Sequence, residues 1–418
     1  MISDYKPILK NPQFMYIWSS QILSQLSINI MNFLLLTRLF EKTGSSIATS
    51  FLWVVYALPA IFVGPLAAAS VDMVSRRKML VVTNLLQALT ILAYALLHRT
   101  SLFLLYGVAL SYSFLNQFYV PAEAATLPSV VKKPHLPQAN GLFFLTQQAS
   151  LILGFGFAGI LKQIFGFDTA LYLCAAFLFL AFISVLFLPE LKSQHSLPKE
   201  FEEAVGKFFE RILEGYKFIK EKKSILVPFL LLLAIQVSLA IVTVNIPVVA
   251  ADIFKVPLNS AGIAIVVPAG IGAIVGALVA SKLLKIGWRK KRVIDMSLSF
   301  ITLALFLLVF ILPEISDTGR VILGPLIIVL SGASFVGMMI PAQTFLQEAT
   351  PGGLRGRVFG NFWFLVTIAT IFPVIFSGTI AELFGIRLLL FLLGAMTLAG
   401  LIFSKRMGQK VIEEGFGE

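Results

Sequence analysis

Four side-chain amides, Gln21, Gln25, Asn29 and Asn32, recur at steps of four, four and three along an otherwise apolar stretch. At 3.6 residues per turn that spacing puts them on one helix face. An amide turned toward hydrocarbon loses its hydrogen bonds, so this face must meet other helices or a wet cavity. Gln236 and Thr243, seven residues apart with Asn245 beyond them, make a smaller polar face in a later apolar stretch. Tyr112 and Asn116, followed by Gln117 and Tyr119, make a third, and Ser331, Ser334 and Gln343 a fourth. Aromatic rings beside amides suit an amphipathic organic molecule without demanding one ionic form. Interhelical hydrogen bonding would use the same residues, at only about 0.6 kcal/mol each.

Charged groups that could work inside an apolar chain are scarce. Glu123 and Glu348 stand near one end of their stretches, Asp168 and Glu382 near the other. A proton-coupled carrier needs a group whose protonation follows its conformation, and Glu123 is the candidate; a structural pair with Lys132 or Arg357 is the competing role. Asp72, after a small-residue run that begins at Gly64, precedes Arg76, Arg77 and Lys78. An acid at a helix end can pair with basic residues or with a neighbouring helix terminus. No phosphate-cradling Gly-Lys-Ser/Thr loop is present, which argues against ATP-driven work. His98, His135 and His195 are scattered without ligand spacing and read as surface histidines, and Cys174 is the single cysteine. The expectation is a protein that is no enzyme, with no catalytic set, no metal and no cofactor.

The elements that position these residues follow from composition. Hydrophobic residues make up 58% of the 418, charged residues 13%, and the mean hydropathy is +0.91. Soluble domains carry about 25% charge, so lipid is the main solvent. Twelve apolar stretches, running from 14–39 and 48–71 through 101–121 and 225–250 to 357–382 and 385–404, have the length of membrane-crossing helices. With the amino terminus inside, 26 of the 33 basic residues fall on the inner side, which places both termini in the cytoplasm. The net charge of +12 is therefore topological, and no nucleic-acid partner is expected. The polar interval 190–223 separates an amino-terminal bundle, 1–189, from a carboxy-terminal bundle with a short tail, 224–418. Within the interval, Phe201, Phe208, Ile212 and Tyr216 fall on one face, which reads as an amphipathic helix on the inner surface.

The two parts repeat one another. Gly64 to Lys78 and Gly276 to Lys291 both run from small residues into a basic turn, 212 residues apart. Pro121-Ala122 recurs as Pro341-Ala342, and Gly159 and Gly166 recur as Gly378 and Gly385. Such halves usually enclose a central pathway. The acid belongs only to the first copy.

Twelve spans in two halves, with basic turns after the second and eighth, resemble the major facilitator superfamily. Gly64, Leu66, Asp72, Arg76, Arg77 and Lys78 stand near the places of its signature loop, with the acid displaced and Ser75 in place of a glycine. PAEAATLPSVVKKPHLPQANGL at 121–142, RGRVFGN at 355–361 and GYKFIKEKKSIL at 215–226 are similar to the subgroup of macrolide-efflux proteins and the enterobactin exporter. The resemblance implies an all-α fold of two pseudo-symmetric six-helix bundles in the cell membrane, working as a monomer. It implies that spans 1, 4, 7 and 10 line the substrate cavity and that Asp72 with its basic turn latches the halves. It also implies export of a drug, siderophore or similar small molecule, with protons as the antiported ion. A lipid or lysolipid translocator and a non-transporting sensor or scaffold on the same fold are the alternatives.

Overall fold

The computed structural model describes residues 7–64, 66–67, 74–190, isolated positions between 206 and 220, 223–350 and 355–407. Asp72 and nearly all of the 201–219 amphipathic segment lie outside the described residues. The long helices are α1 (Pro12–Thr43), α2 (Ser46–Phe62), α3 (Arg76–Leu97), α4 (Leu104–Val130), α5 (Leu136–Phe165) and α6 (Phe167–Leu186). After the polar interval come α7 (Lys223–Val244), α8 (Val267–Lys285), α9 (Lys290–Phe306), α10 (Asp317–Ala349), α11 (Arg355–Phe384) and α12 (Ile386–Met407). Among the described residues, ten helices are long and apolar enough to cross a membrane, and Ser46–Phe62 is a shorter apolar one. A helix keeps its backbone hydrogen bonds within itself, which is why this composition folds this way.

By contact the chain divides into two compact units: Met1–Leu39 with Val55–Phe208, and Phe40–Val54 with Phe209–Glu418. In the first, α3 packs along α4 and α6; in the second, α8 and α9 both pack along α10, and α12 along α9. The duplicated glycines show how the repeat is built. Gly166 (φ 82°) joins α5 to α6 without a loop, and Gly385 (φ 85°) joins α11 to α12 the same way. Only a residue without Cβ takes that backbone cheaply.

Helices α8 and α10 touch backbone to backbone. A Cβ on Gly272 would lie 2.8 Å from the Val329 carbonyl carbon, and one on Gly276 would lie 2.7 Å from the Ala333 Cα. From the other side, Gly332 meets Ala269. In hydrocarbon, where apolar burial drives little, such small-residue seams let helices approach closely enough for dispersion and weak Cα–H···O contacts. The first copy is looser: a Cβ on Gly64 would meet the Gln117 Oε1 at an ordinary 3.5 Å.

The basic turn at the start of α3 also has a structural task. The Arg76 guanidinium donates to the Ala125 carbonyl and the Ser129 hydroxyl, both at 2.9 Å, and Arg77 donates to the Leu186 carbonyl at 2.6 Å. Two cations thus sit at the carbonyl ends of α4 and α6, where the helix dipole favours them. Lys78 is exposed.

Two expectations change. The stretch 225–250 is no single helix: α7 ends at Val244, and Asn245 leads into a short turn and a π-helical segment, Val249–Phe254. Pro247 supplies no amide donor and its ring opposes the preceding turn, so the regular ladder stops there. His98 is no surface histidine. Its side chain is only 4% exposed, its Nε2 lies 2.7 Å from Asp168 Oδ1, and Arg99 pairs with the other carboxylate oxygen. A residue at the end of α3 and one at the start of α6 are pinned together, an arrangement that sequence spacing does not display.

The glycine seam is testable by thermal unfolding in detergent. Gly272→Ala is expected to destabilise by about 1–3 kcal/mol through overpacking. Gly107→Ala, where a Cβ meets nothing within 4 Å, should leave the melting temperature unchanged or slightly raised.

Candidate functional site

A cavity of about 210 Å³ opens within the first unit, lined by α1, α2, α4 and α5. Helix α1 contributes Ser24, Gln25, Ile28, Asn29 and Asn32; α2 contributes Tyr56; α4 contributes Tyr112, Asn116, Tyr119 and Val120; α5 contributes Gln147. The structure therefore brings together Gln25, Asn29, Asn32, Tyr112 and Asn116. The first-span stripe splits, because Gln21 turns to α5, where its Nε2 donates to the Phe143 carbonyl at 3.1 Å. Gln236 and Thr243 are half-buried on α7 in the other unit, and Thr243 donates to its own helix at Leu239. Ser331 and Ser334 likewise donate to carbonyls one turn back in α10.

Packing fixes the depth of this cavity. Gly154 of α5 lies against α1 so closely that a Cβ would stand 2.5 Å from Asn29 Cβ and 3.2 Å from the Ile30 nitrogen. Asn29 anchors one amide hydrogen on the Gln25 carbonyl at 2.7 Å, and Asn32 hydrogen-bonds the Tyr56 hydroxyl. Tyr112 and Tyr119 are almost wholly buried, with their rings forming a wall.

Behind that wall sits the candidate proton site. Glu123 is buried and lies one turn beyond Tyr119, whose hydroxyl donates to its Oε1 at 2.7 Å. The same hydroxyl faces Ser20 and Ser24 of α1. Ser24 donates to Asn84 Oδ1 at 3.3 Å, and Asn84 donates to Ser20 at 3.0 Å. A polar chain therefore runs from the cavity lining through Tyr119 to a single buried carboxyl, with α3 closing it through Asn84. Low local dielectric makes each link consequential. Among the described residues Glu123 has no basic partner within ion-pair distance.

Sequence reasoning missed Tyr56, Gln147 and Ser24. Two carry a weak signal in hindsight: Gln147 belongs to a polar run, Thr146–Gln147–Gln148, inside an apolar stretch, and Ser24 adjoins the amide stripe. Tyr56 carries none: it follows Phe51 and Trp53 in an apolar stretch, and only the helix crossing brings it to Asn32. A Cβ on Gly64, from the stretch that resembles the signature loop, would lie 3.5 Å from Oε1 of Gln117 on the cavity helix α4.

A membrane-embedded, multi-helix scaffold holding an uncharged polar cavity is the architecture of a solute carrier. The family model described as Major Facilitator Superfamily matches residues 17–372, and the chain belongs to that superfamily. It is 26% identical over 411 residues to the uncharacterized MFS-type transporter YfiS of Bacillus subtilis (strain 168), covering 94% of this chain and 95% of that protein. The MFS-type transporter YjbB of the same organism is 27% identical over 188 residues, 44% of this chain and 46% of that one. Among solved structures, the nucleoside transporter NupG matches with a TM-score of 0.74 at 15% identity, covering 95% of this chain and 99% of that chain. A POT family peptide transporter matches at 0.68 and 11% identity, over 94% of this chain and 97% of that one. The last two establish a shared fold and nothing about solute.

The Tyr119–Glu123 link is open to a double-mutant cycle on thermal stability. Tyr119→Phe is expected to cost about 1–3 kcal/mol by leaving a buried carboxyl without its donor. In the Glu123→Gln background the same change should cost clearly less, and strict additivity of the two changes would disprove the coupling.

Proposed function

We propose that this chain is a secondary-active exporter of a small organic molecule, driven by proton antiport through alternating access. Twelve spans in two six-helix bundles, 1–189 and 224–418, fit the repeat of turn glycines and basic turns, with Ser46–Phe62 and its continuation, and Leu104–Val130, as the second and fourth spans. The basic-residue asymmetry supports cytoplasmic termini in the cell membrane. The chain is taken to act as a monomer. Export rather than uptake rests on the likeness of 121–142 and 355–361 to the macrolide-efflux and enterobactin-exporter subgroup.

The observation that carries the reading is the cavity wall shared with a buried acid. Tyr119 lines the cavity and donates to Glu123, so solute occupancy and protonation of Glu123 bear on the same hydroxyl. While Glu123 is ionised it holds the phenol hydrogen and leaves the Tyr119 oxygen free to accept from a solute hydroxyl; a protonated Glu123 donates to that same oxygen instead. Proton and solute then compete for one acceptor, and such negative coupling is reciprocal, which is what an antiporter needs. Gln25, Asn29, Asn32, Tyr112 and Asn116 serve as solute contacts from the first half, and Gln236 and Thr243 as their counterparts from the second. Asp72, with Arg76, Arg77 and Lys78, serves as the latch at the cytoplasmic end of the second span.

Purified protein in proteoliposomes, given a mixed metabolite and drug pool with and without an imposed pH gradient, tests the proposal. The gradient is expected to accelerate depletion of a component of the pool, and Glu123→Gln to retain downhill movement while losing the response to pH. Depletion indifferent to pH in the unmodified protein would remove the antiport mechanism and leave a carrier. Asp72→Asn should insert normally and turn over slowly; unchanged turnover would sink the latch.

A further inference from the structure

The cavity is polar, yet among the described residues none that lines it carries a charge. The eleven described lining residues comprise five side-chain amides, three phenols, one serine hydroxyl, Ile28 and Val120. The nearby carboxyl of Glu123 is not part of this lining and is already engaged by Tyr119. Among the described residues, the amides of Gln25, Asn116 and Gln147 meet no protein hydrogen-bond partner, while those of Asn29 and Asn32 are each held by one bond. Three unengaged amides thus converge from α1, α4 and α5.

From this lining, and resting on the carrier reading above, we infer that the transported solute is uncharged: a compact ring compound bearing several hydroxyl or amide groups. The argument is one of matching valence. A primary amide offers an acceptor and two donors side by side, so it pairs best with groups that also give and take, such as a hydroxyl or a lactam edge. A phosphate or carboxylate only accepts and would leave the amide carbonyls unmatched; an ammonium only donates and would leave the amide hydrogens unmatched. Either ion would also leave water without a countercharge, a cost that amides and phenols cannot offset. A purely apolar solute would strand the three amides, each at the cost of a buried unsatisfied group. The Tyr56, Tyr112 and Tyr119 rings give the apolar face of a ring compound a surface to lie on. This inference narrows the amphipathic class expected from sequence to its neutral, hydrogen-bonding members.

The test uses the full-length protein and three probe sets: neutral methyl glycosides and nucleosides, the lipophilic cations tetraphenylphosphonium and ethidium, and the anions p-toluenesulfonate and taurocholate. Ligand-induced thermal shift reports binding, and proteoliposome flux reports transport. At least one neutral probe is expected to stabilise the protein. Asn116→Ala and Gln147→Ala should each weaken that binding about three- to tenfold, as loss of one hydrogen bond predicts. Both variants should keep the unliganded melting temperature, since neither amide has a protein partner to lose. Stabilisation by cations or anions but by no neutral probe overturns the inference, as does the absence of any shift across the neutral set. The two readings separate cleanly. A charged probe that is carried sinks the solute class and keeps the carrier; a neutral probe that binds through Asn116 and Gln147 yet never crosses keeps the class and sinks the carrier.

Discussion

Hydrocarbon offers no hydrogen bond, and almost every feature of this molecule answers to that constraint. Backbone groups are satisfied by winding into helices. Side-chain groups must find partners across helix crossings, and the crossings must then be close. Glycine supplies the closeness where two helices meet backbone to backbone, at Gly272 and Gly276 against α10 and at Gly154 against α1. The last contact is the one on which the site depends. Without a bare α5 surface, Asn29 could not sit where it does, and the cavity wall formed by α1 would move outward.

The polar groups that remain sort into those used up by structure and those left over. Thr83, Thr126, Ser331, Ser334 and Thr344 donate to carbonyls one turn back on their own helices and ask nothing of a neighbour. Arg320, although buried, is consumed by the Leu312 and Pro313 carbonyls and by Asp317. Gln87 of α3 is buried with neither amide atom partnered and lies apart from the cavity, whereas Gln25, Asn116 and Gln147 are left over together along it. An unpartnered polar group inside a membrane protein is costly unless water or another molecule covers it, and it is the clustering that sets these three apart.

Much of this was legible in the residues. Length, composition and basic-residue placement define a multi-helix membrane chain, and a one-face amide stripe is visible without coordinates. Gly166 and Gly385 announce the same turn in two copies because only one residue type tolerates that backbone. What stayed hidden depends on azimuth and crossing. A step of four separates Gln21 from Gln25, yet the small rotation between them sends one to the Phe143 carbonyl and the other into the cavity. Tyr56 joins the site only because α2 crosses α1 at Asn32, and His98 is buried only because α6 presents Asp168 to it. Periodicity tells which residues share a face and leaves open what that face meets.

The repeat itself sharpens the difference between the halves. Asn29 and Asn245 stand 216 residues apart, close to the offsets of the duplicated turns, and each donates to the carbonyl four residues earlier, at 2.7 and 2.9 Å. The same local bond is thus made at both positions. Their surroundings differ. Asn29 lines the cavity with its neighbours on α1, whereas Asn245 is 1% exposed, bonds Ser377 of α11 at 3.0 Å, and stands where α7 gives way to π-helical turns. One asparagine lines the cavity and the other braces an irregular helix. Neither arrangement is free of cost: Asn245 Oδ1 is itself buried without a partner, while Gln25, Asn116 and Gln147 leave their amides unpartnered along the cavity. The difference is that in the first unit the unpartnered groups face a cavity that a hydrogen-bonding molecule could enter, and at Asn245 they face packed helices.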